Sequence, residues 1–236
     1  MSVVMLKDLR KTFKLKQKAP GLMGSFKSLF HSEYQTVDAV KGVSLELDEG
    51  ELLAFIGPNG AGKSTTIKML TGILYPSGGE AQVLGYVPWK QRRELSYHIG
   101  SVFGQKPQLW YHLPPVDTFE LFAHIYELDR AAFEKRQKFL VEALGIGEWL
   151  HTPVRKLSLG QRMRCEIAAS LLHAPRLLFL DEPTIGLDVV AKQQLREAIK
   201  TLHDEENITI FLTSHDAGDV ESLCKRVIVI NHGQVI

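Results

Sequence analysis

The consecutive residues Gly57-Pro58-Asn59-Gly60-Ala61-Gly62-Lys63-Ser64-Thr65 carry the pattern G-x-x-x-x-G-K-[ST] of a phosphate-binding loop. Glycines let successive backbone N–H groups curl around phosphate oxygens, Lys63 supplies a mobile cation, and the Ser64 hydroxyl is a hard oxygen ligand for Mg²⁺. Further along, an apolar run ends in Asp181-Glu182. Asp181 can hold Mg²⁺ through water, and Glu182, pointing differently one residue on, can polarise a water that attacks a terminal phosphate. Gln105 and His215 close two more apolar runs, and a histidine there could contact that phosphate or orient the water. Alone, each has a duller reading: a glycine-rich turn, a solvated strand end, a surface histidine. A phosphate loop ahead of them in one α/β pattern turns the balance toward nucleotide chemistry.

These residues need strands to deliver them. Leu52-Leu53-Ala54-Phe55-Ile56 reads as a buried strand feeding the loop, and Thr65 to Leu74 as the helix leaving it. Residues 3–9 and 43–47 read as earlier strands, followed by a turn at Asp48-Glu49-Gly50. After the loop, the pattern predicts strands over 80–86, 99–105, 177–182, 209–215 and 227–230, and a helix over 190–203. Leu177-Leu178-Phe179-Leu180 is apolar on both faces, as in a buried parallel strand, and such sheets bind ligands at their strands' carboxyl ends. From Val116 to Ala143 the apolar spacing is helical with no strand between, which predicts a helical subdomain at about 106–172 inserted in the α/β core. Ser158 is placed to cap the next helix, whose apolar face holds Met163, Ile167 and Leu171. Asn231-His232-Gly233 reads as a hairpin turn, and the end at Ile236, a few residues into the returning strand, reads as a trimmed carboxyl terminus.

The stretch from Lys14 to Glu33 interrupts the first pair of strands. It is basic, and Leu22, Met23, Phe26, Leu29 and Phe30 fall on one face of a short helix. A helix folded back on its own domain is the preferred reading, ahead of an amphipathic element facing a membrane protein or the bilayer.

Composition sets outer bounds. A chain of 236 residues with 44% hydrophobic content suits one large α/β domain, and no run approaches the length of a membrane span. The amino terminus has no secretory pattern, so a cytosolic location is expected. A formal charge of +1 gives no reason to expect nucleic acid as a partner. Cys165 and Cys224 lack CxxC spacing and read as reduced, buried fillers, neither zinc ligands nor a disulfide.

Taken in order, GPNGAGKST, Gln105 after its strand, LSLGQR, LLFLDEPT, GLD and the Ser-His pair resemble the nucleotide-binding domain of ABC transporters over essentially the whole chain. The likeness is nearest to ATPase subunits of drug-exporter and antibiotic-resistance systems. It implies a single α/β domain: a P-loop NTPase (RecA-like) core with an antiparallel β subdomain and an inserted α-helical subdomain. ATP and Mg²⁺ are the implied cofactors, and integral membrane permease subunits the implied partners, with the ATPase peripheral on the cytoplasmic face of the membrane. Ser158, Leu159, Gly160 and Gln161 match the signature that binds the γ-phosphate of ATP held by the opposite subunit of a homodimer or heterodimer. Leu159 stands where the family usually has glycine, so altered packing is expected there. Asp188 matches the D-loop that links the two sites, and Gln105 the Q-loop that touches Mg²⁺ or water. For the aromatic residue that stacks on adenine, Tyr34 is favoured by its distance from Gly57, with Phe13 the alternative if 14–33 is an insertion. Leu109-Trp110-Tyr111 fits either a groove for a permease helix or packing between lobes. A non-transport ATPase of this type, acting on the translation or DNA-repair machinery, is the competing function, but a second cassette and coiled-coil arms are both missing. A P-loop kinase or GTPase would have no use for LSLGQR.

Overall fold

In chain order the strands and helices are β1 (Ser2–Lys16), β2 (Tyr34–Asp48), β3 (Leu52–Ile56), α1 (Lys63–Leu70), β4 (Gly78–Val83), α2 (Arg92–Ser96), β5 (Ile99–Phe103), α3 (Pro115–Ile125), α4 (Arg130–Ala143), α5 (Leu159–Leu171), β6 (Leu177–Asp181), α6 (Val189–Glu206), β7 (Thr209–Ser214), α7 (Ala217–Leu223), β8 (Arg226–Asn231) and β9 (Gln234–Val235). This computed structural model describes residues 1–16, 34–104 and 106–236. Gln105 and the predicted apolar face at 22–30 lie outside the described residues.

One sheet has the order β5-β6-β7-β3-β8-β9, parallel through β8, with β9 returning antiparallel as the hairpin turn predicts. Alternation along its strands splits the core in two. Leu52, Leu178, Leu180, Ile210 and Leu212 join one cluster with residues of α3 to α6, while Leu53, Phe55, Leu177, Phe179 and Phe211 join another with α1 and the small sheet. Burial on both faces explains why these strands read as unbroken apolar runs. Phe211 sits between Phe55 and Phe179 at ring distances of 5.5 and 5.8 Å. Burying each such side chain contributes about 1.5–3 kcal/mol, so these clusters fix the register of the strands.

The small antiparallel sheet, order β2-β1-β4, differs from expectation in length. β1 continues to Lys16 and pairs there with Tyr34, so residues 14–16, assigned by sequence to the insertion, belong to the ladder. Its alternation is broken by register shifts between Leu6 and Leu9, between Leu9 and Arg10, and between Lys11 and Thr12, which hide the strand from a period-2 reading. α1 stops at Leu70, short of Leu74, because Gly72 turns the chain with φ of 70°. α6 runs on to Glu206, where Asn207 closes it in the left-handed region. Helices α2 and α7 have no counterpart in the sequence reading; each is too short to show a period.

Candidate functional site

β3 lies between β7 and β8 and delivers the phosphate loop at its carboxyl end. Two glycines there are required by space. A Cβ on Gly57 would stand 2.1 Å from the Ile230 carbonyl oxygen, and Gly62, at φ of 107°, would meet the Ala39 carbonyl oxygen at 2.6 Å. The loop is thereby pressed between β8 and β2, and α1 starts at Lys63 with its N–H groups facing the loop.

Lys63 is buried, at 4% exposure. Its ammonium donates to the Gly57 carbonyl at 2.6 Å and pairs with Glu182 Oε1 at 3.0 Å. The second oxygen of Glu182 lies 2.9 Å from His215 Nδ1. Glu182 has a left-handed backbone, φ of 52°, and its N–H donates to the Thr213 hydroxyl at 3.1 Å. A non-glycine residue in that region costs about 1–3 kcal/mol, which the β6–β7 ladder offsets by fixing the neighbouring residues. Beside it, Asp181 Oδ1 accepts from Ser64 Oγ at 3.0 Å and from Thr213 Oγ1 at 2.7 Å.

Lys63, Ser64, Asp181 and Glu182 line a cavity of about 300 Å³ that also receives Lys68, Gly104 and Lys106, while His215 reaches Glu182 without lining it. Its chemistry is divided: cations and backbone N–H groups on one wall suit phosphate, and carboxylates on the other suit a metal and a water. Ser64 and Asp181 offer two adjoining hard oxygens, which fits Mg²⁺, an ion that takes one or two protein oxygens and completes its shell with phosphates and water. No cluster of three or more His, Cys, Asp or Glu able to hold a metal occurs among the described residues. A larger groove of about 1010 Å³ runs over the small sheet by Met5, Tyr75 and Trp89, and no motif residue reaches it.

Sequence reasoning missed the support behind Glu182 and His215. Asp219, fully buried on α7, accepts from Ser214 Oγ and Thr184 Oγ1, both at 2.6 Å, and from Arg196 Nε of α6 at 2.7 Å. Asp216 takes Lys192 and Arg196 of the same helix, and the Lys192 ammonium holds its carboxyl below the ordinary range. One polar network thus ties the residue before His215, the residue two after Glu182, and the helix that Asp188 begins. The acid-rich spacing His215-Asp216-Ala217-Gly218-Asp219 was the available signal.

The signature residues lie elsewhere. Ser158 Oγ accepts the Gln161 N–H at 3.2 Å while Gln161 Oε1 accepts the Ser158 N–H at 2.9 Å, a reciprocal cap that starts α5. Gly160 is close-packed: a Cβ there would come within 2.9 Å of Ala191 Cβ. Leu159 covers Gly186, its Cδ2 lying 3.2 Å from where a Cβ would be. Asp188 caps α6 by accepting the Ala191 N–H at 2.8 Å. Ser158, Gly160, Gln161 and Asp188, but not Leu159, border with Trp149 and Arg164 a cavity of about 610 Å³ that shares no lining residue with the phosphate cavity.

The structure does not bring Tyr34 to the phosphate cavity. Ala39 lines that cavity, and Tyr34 stands five residues up the same strand, about 17 Å away, with its ring exposed. Phe13 is nearer, opposite Val37 in the ladder, with Lys11 Nζ 5.2 Å from its ring centre. Leu109 enters the helical core, while Trp110 and Tyr111 are exposed, so the predicted aromatic cluster divides. Both cysteines are free, and burial pushes each thiol up to about 12; Cys165 is buried, but Cys224 only half-buried.

A family model described as "ABC transporter" matches residues 40–185. The ABC transporter ATP-binding protein NatA of Bacillus subtilis is 35% identical over 88% of this chain and 84% of its own length. A fluoroquinolones export ATP-binding protein of Mycobacterium tuberculosis is 37% identical over 84% of this chain, which spans 64% of that relative, less than two thirds of its length. Among solved structures, a dimeric ATP-binding cassette in a post-hydrolysis state with ADP and Pi superposes at a TM-score of 0.78, with 26% identity, covering 98% of this chain and 96% of the other.

Proposed function

The chain belongs to the ABC transporter family and is an ATP-binding, ATP-hydrolysing subunit of it; on that premise we propose that two ATPase domains close over two ATP molecules, each bound by one chain's phosphate loop and the other's signature. The observation that carries this reading is the separation within one chain of the phosphate cavity from the signature cavity. A single copy holds two half-sites. Backbone N–H groups of the loop, with Lys63, Lys68 and Lys106, bind the phosphates, while Ser64 and Asp181 hold Mg²⁺, which when bound neutralises phosphate charge. Glu182 orients the attacking water and takes its proton, and His215 fixes the carboxylate at its second oxygen. An arriving phosphate competes with Glu182 for Lys63, so binding frees the base that hydrolysis needs. Phe13, rather than Tyr34, supplies the aromatic face for adenine.

Trp110 and Tyr111 present exposed aromatic surface beside the helical elements, which supports docking of a membrane permease. No helix among the described residues is long and apolar enough to cross a membrane. A relative named for fluoroquinolone export supports transport outward.

Glu182→Gln tests the reading. The variant should bind ATP, lose hydrolysis by roughly 100-fold or more and run as a dimer with ATP in size-exclusion chromatography. Parental hydrolysis, or a monomer at saturating ATP, would overturn it.

A further inference from the structure

Carboxylates within helices usually face water, and Glu166 does not. It lies on α5 at 3% exposure, between Cys165 and Ile167, and both its oxygens accept backbone N–H groups from a different segment. Oε2 takes Gln108 at 2.8 Å and Oε1 takes Leu109 at 3.3 Å. Gln108 in turn donates from its side chain to the Ser101 carbonyl on β5 at 2.7 Å.

Follow the bonds in both directions. Toward the nucleotide, Gly104 donates to the Asp181 carbonyl at 3.0 Å and Lys106 to the Phe103 carbonyl at 2.7 Å, and Gly104 and Lys106 both line the phosphate cavity. Toward the signature, Gln161 lies five residues before Glu166 on the same helix, about 7.5 Å along its axis, and is locked to Ser158 by the reciprocal cap. We infer that Glu166 is a positioning residue, a two-pronged clasp that makes residues 106–109 and the signature helix move as one body. What happens at the phosphate wall is then transmitted to the surface that meets the partner's ATP. Only an acceptor with two oxygens serves two adjacent N–H donors; an amide offers one oxygen and sets its NH₂ against the other donor.

This rests on the two-chain site proposed above, and the test separates the two. Glu166→Gln should leave the KM for ATP within about twofold and lower kcat about tenfold or more, since a misplacement near 1 Å can cost up to 100-fold. In the same variant, hydrogen exchange should speed up at the Gln108 and Leu109 amides while those of α5 keep their protection. Placed in the Glu182→Gln background, it should weaken ATP-driven dimer formation by a similar factor. Parental kcat, or unchanged exchange at those amides, would overturn the clasp. If Glu182→Gln alone stays monomeric with ATP, the two-chain reading fails, and the exchange measurement still judges the clasp. Should Glu166→Gln fail to fold, Glu166→Asp, which keeps the acceptors but draws them back by one methylene, should show the same pattern more weakly. Gln108→Ala keeps the backbone N–H and should hold kcat near the parental value; a loss as large as that of Glu166→Gln would place the anchor in the Gln108 side chain and sink the inference.

Discussion

Around the phosphate cavity, motif residues grow from the carboxyl ends of adjacent parallel strands: Gly57 after β3, Asp181 and Glu182 at β6, Ser214 and His215 at β7. Around the signature cavity they grow from helix N-termini, Ser158 ahead of α5 and Asp188 ahead of α6. Strand ends inherit their spacing from the ladder, where Asp181 opposes Thr213 and Ile56 opposes Ser214. Helix ends inherit theirs from caps and side-chain ties, which can shift together. The chemical half of the site is therefore rigid by construction, and the half proposed to meet a partner is held by a few named contacts that can be cut.

The largest effect is expected where the rigid half borrows from a helix. Asp219→Asn takes a buried carboxylate from Arg196, Ser214 and Thr184 at once and leaves Arg196 with the half-buried Asp216 alone, so unfolding free energy measured in urea should fall by about 3–5 kcal/mol. The network also holds Ser214 and Thr184, so kcat should drop with little change in KM. Stability loss with parental kcat would show that the network does not position Glu182 and His215.

A second effect, on the order of 3 kcal/mol, belongs to pH. His173, just past α5, stacks on Tyr126 with ring centres 4.0 Å apart and donates from Nε2 to the Ile99 carbonyl at 3.0 Å. Nδ1 has no partner among the described residues. Burial first, then Arg136 and His98, lowers its pKa from 6.5 to about 4. Between those values the unfolded chain takes up a proton that the folded chain refuses, so this residue's contribution to stability falls as pH drops through that window, by roughly 3 kcal/mol in all. His173→Phe should flatten the urea midpoint between pH 6.5 and 4; an unchanged slope would mean the ring titrates normally.

Lys63→Ala addresses the rigid half directly. Loss of a buried cation facing phosphate should weaken ATP binding by about 100-fold, roughly 2.7 kcal/mol, in a titration calorimeter. Unchanged affinity would remove the loop from the nucleotide site.

The same contrast decides what could be read from sequence. β3 matches its predicted bounds because Leu52 to Ile56 is apolar throughout, and Gly104 after β5 and Asp181 and Glu182 at the end of β6 line the cavity. Where Tyr34 sits could not be counted back from Gly57, because the β1–β2 ladder carries it five residues up the strand from Ala39. Asp219 and Glu166 escape notice because a carboxylate in a helix ordinarily marks the solvent face. The run Cys165 to Ala169, otherwise apolar, is the trace in the sequence that α5 is buried all round from Cys165 onward.

The smallest effect tests the signature half by its one departure from the family pattern. Leu159 covers Gly186, which at φ of 75° is open to glycine alone without strain, and so rests the signature turn on the loop that leads to Asp188. Leu159→Gly removes that cover and loosens the two elements relative to each other. Leu159 is already 36% exposed, so only part of a leucine's burial is lost, about 1 kcal/mol. ATP affinity of the single chain should hold, because the phosphate cavity shares no residue with this surface. Hydrolysis at dilute protein should fall a few-fold and recover as concentration rises, since the defect lies in association of two chains. A fall that persists at high concentration would place Leu159 in the chemical step, and the division into a rigid half and a tied half would have to be redrawn.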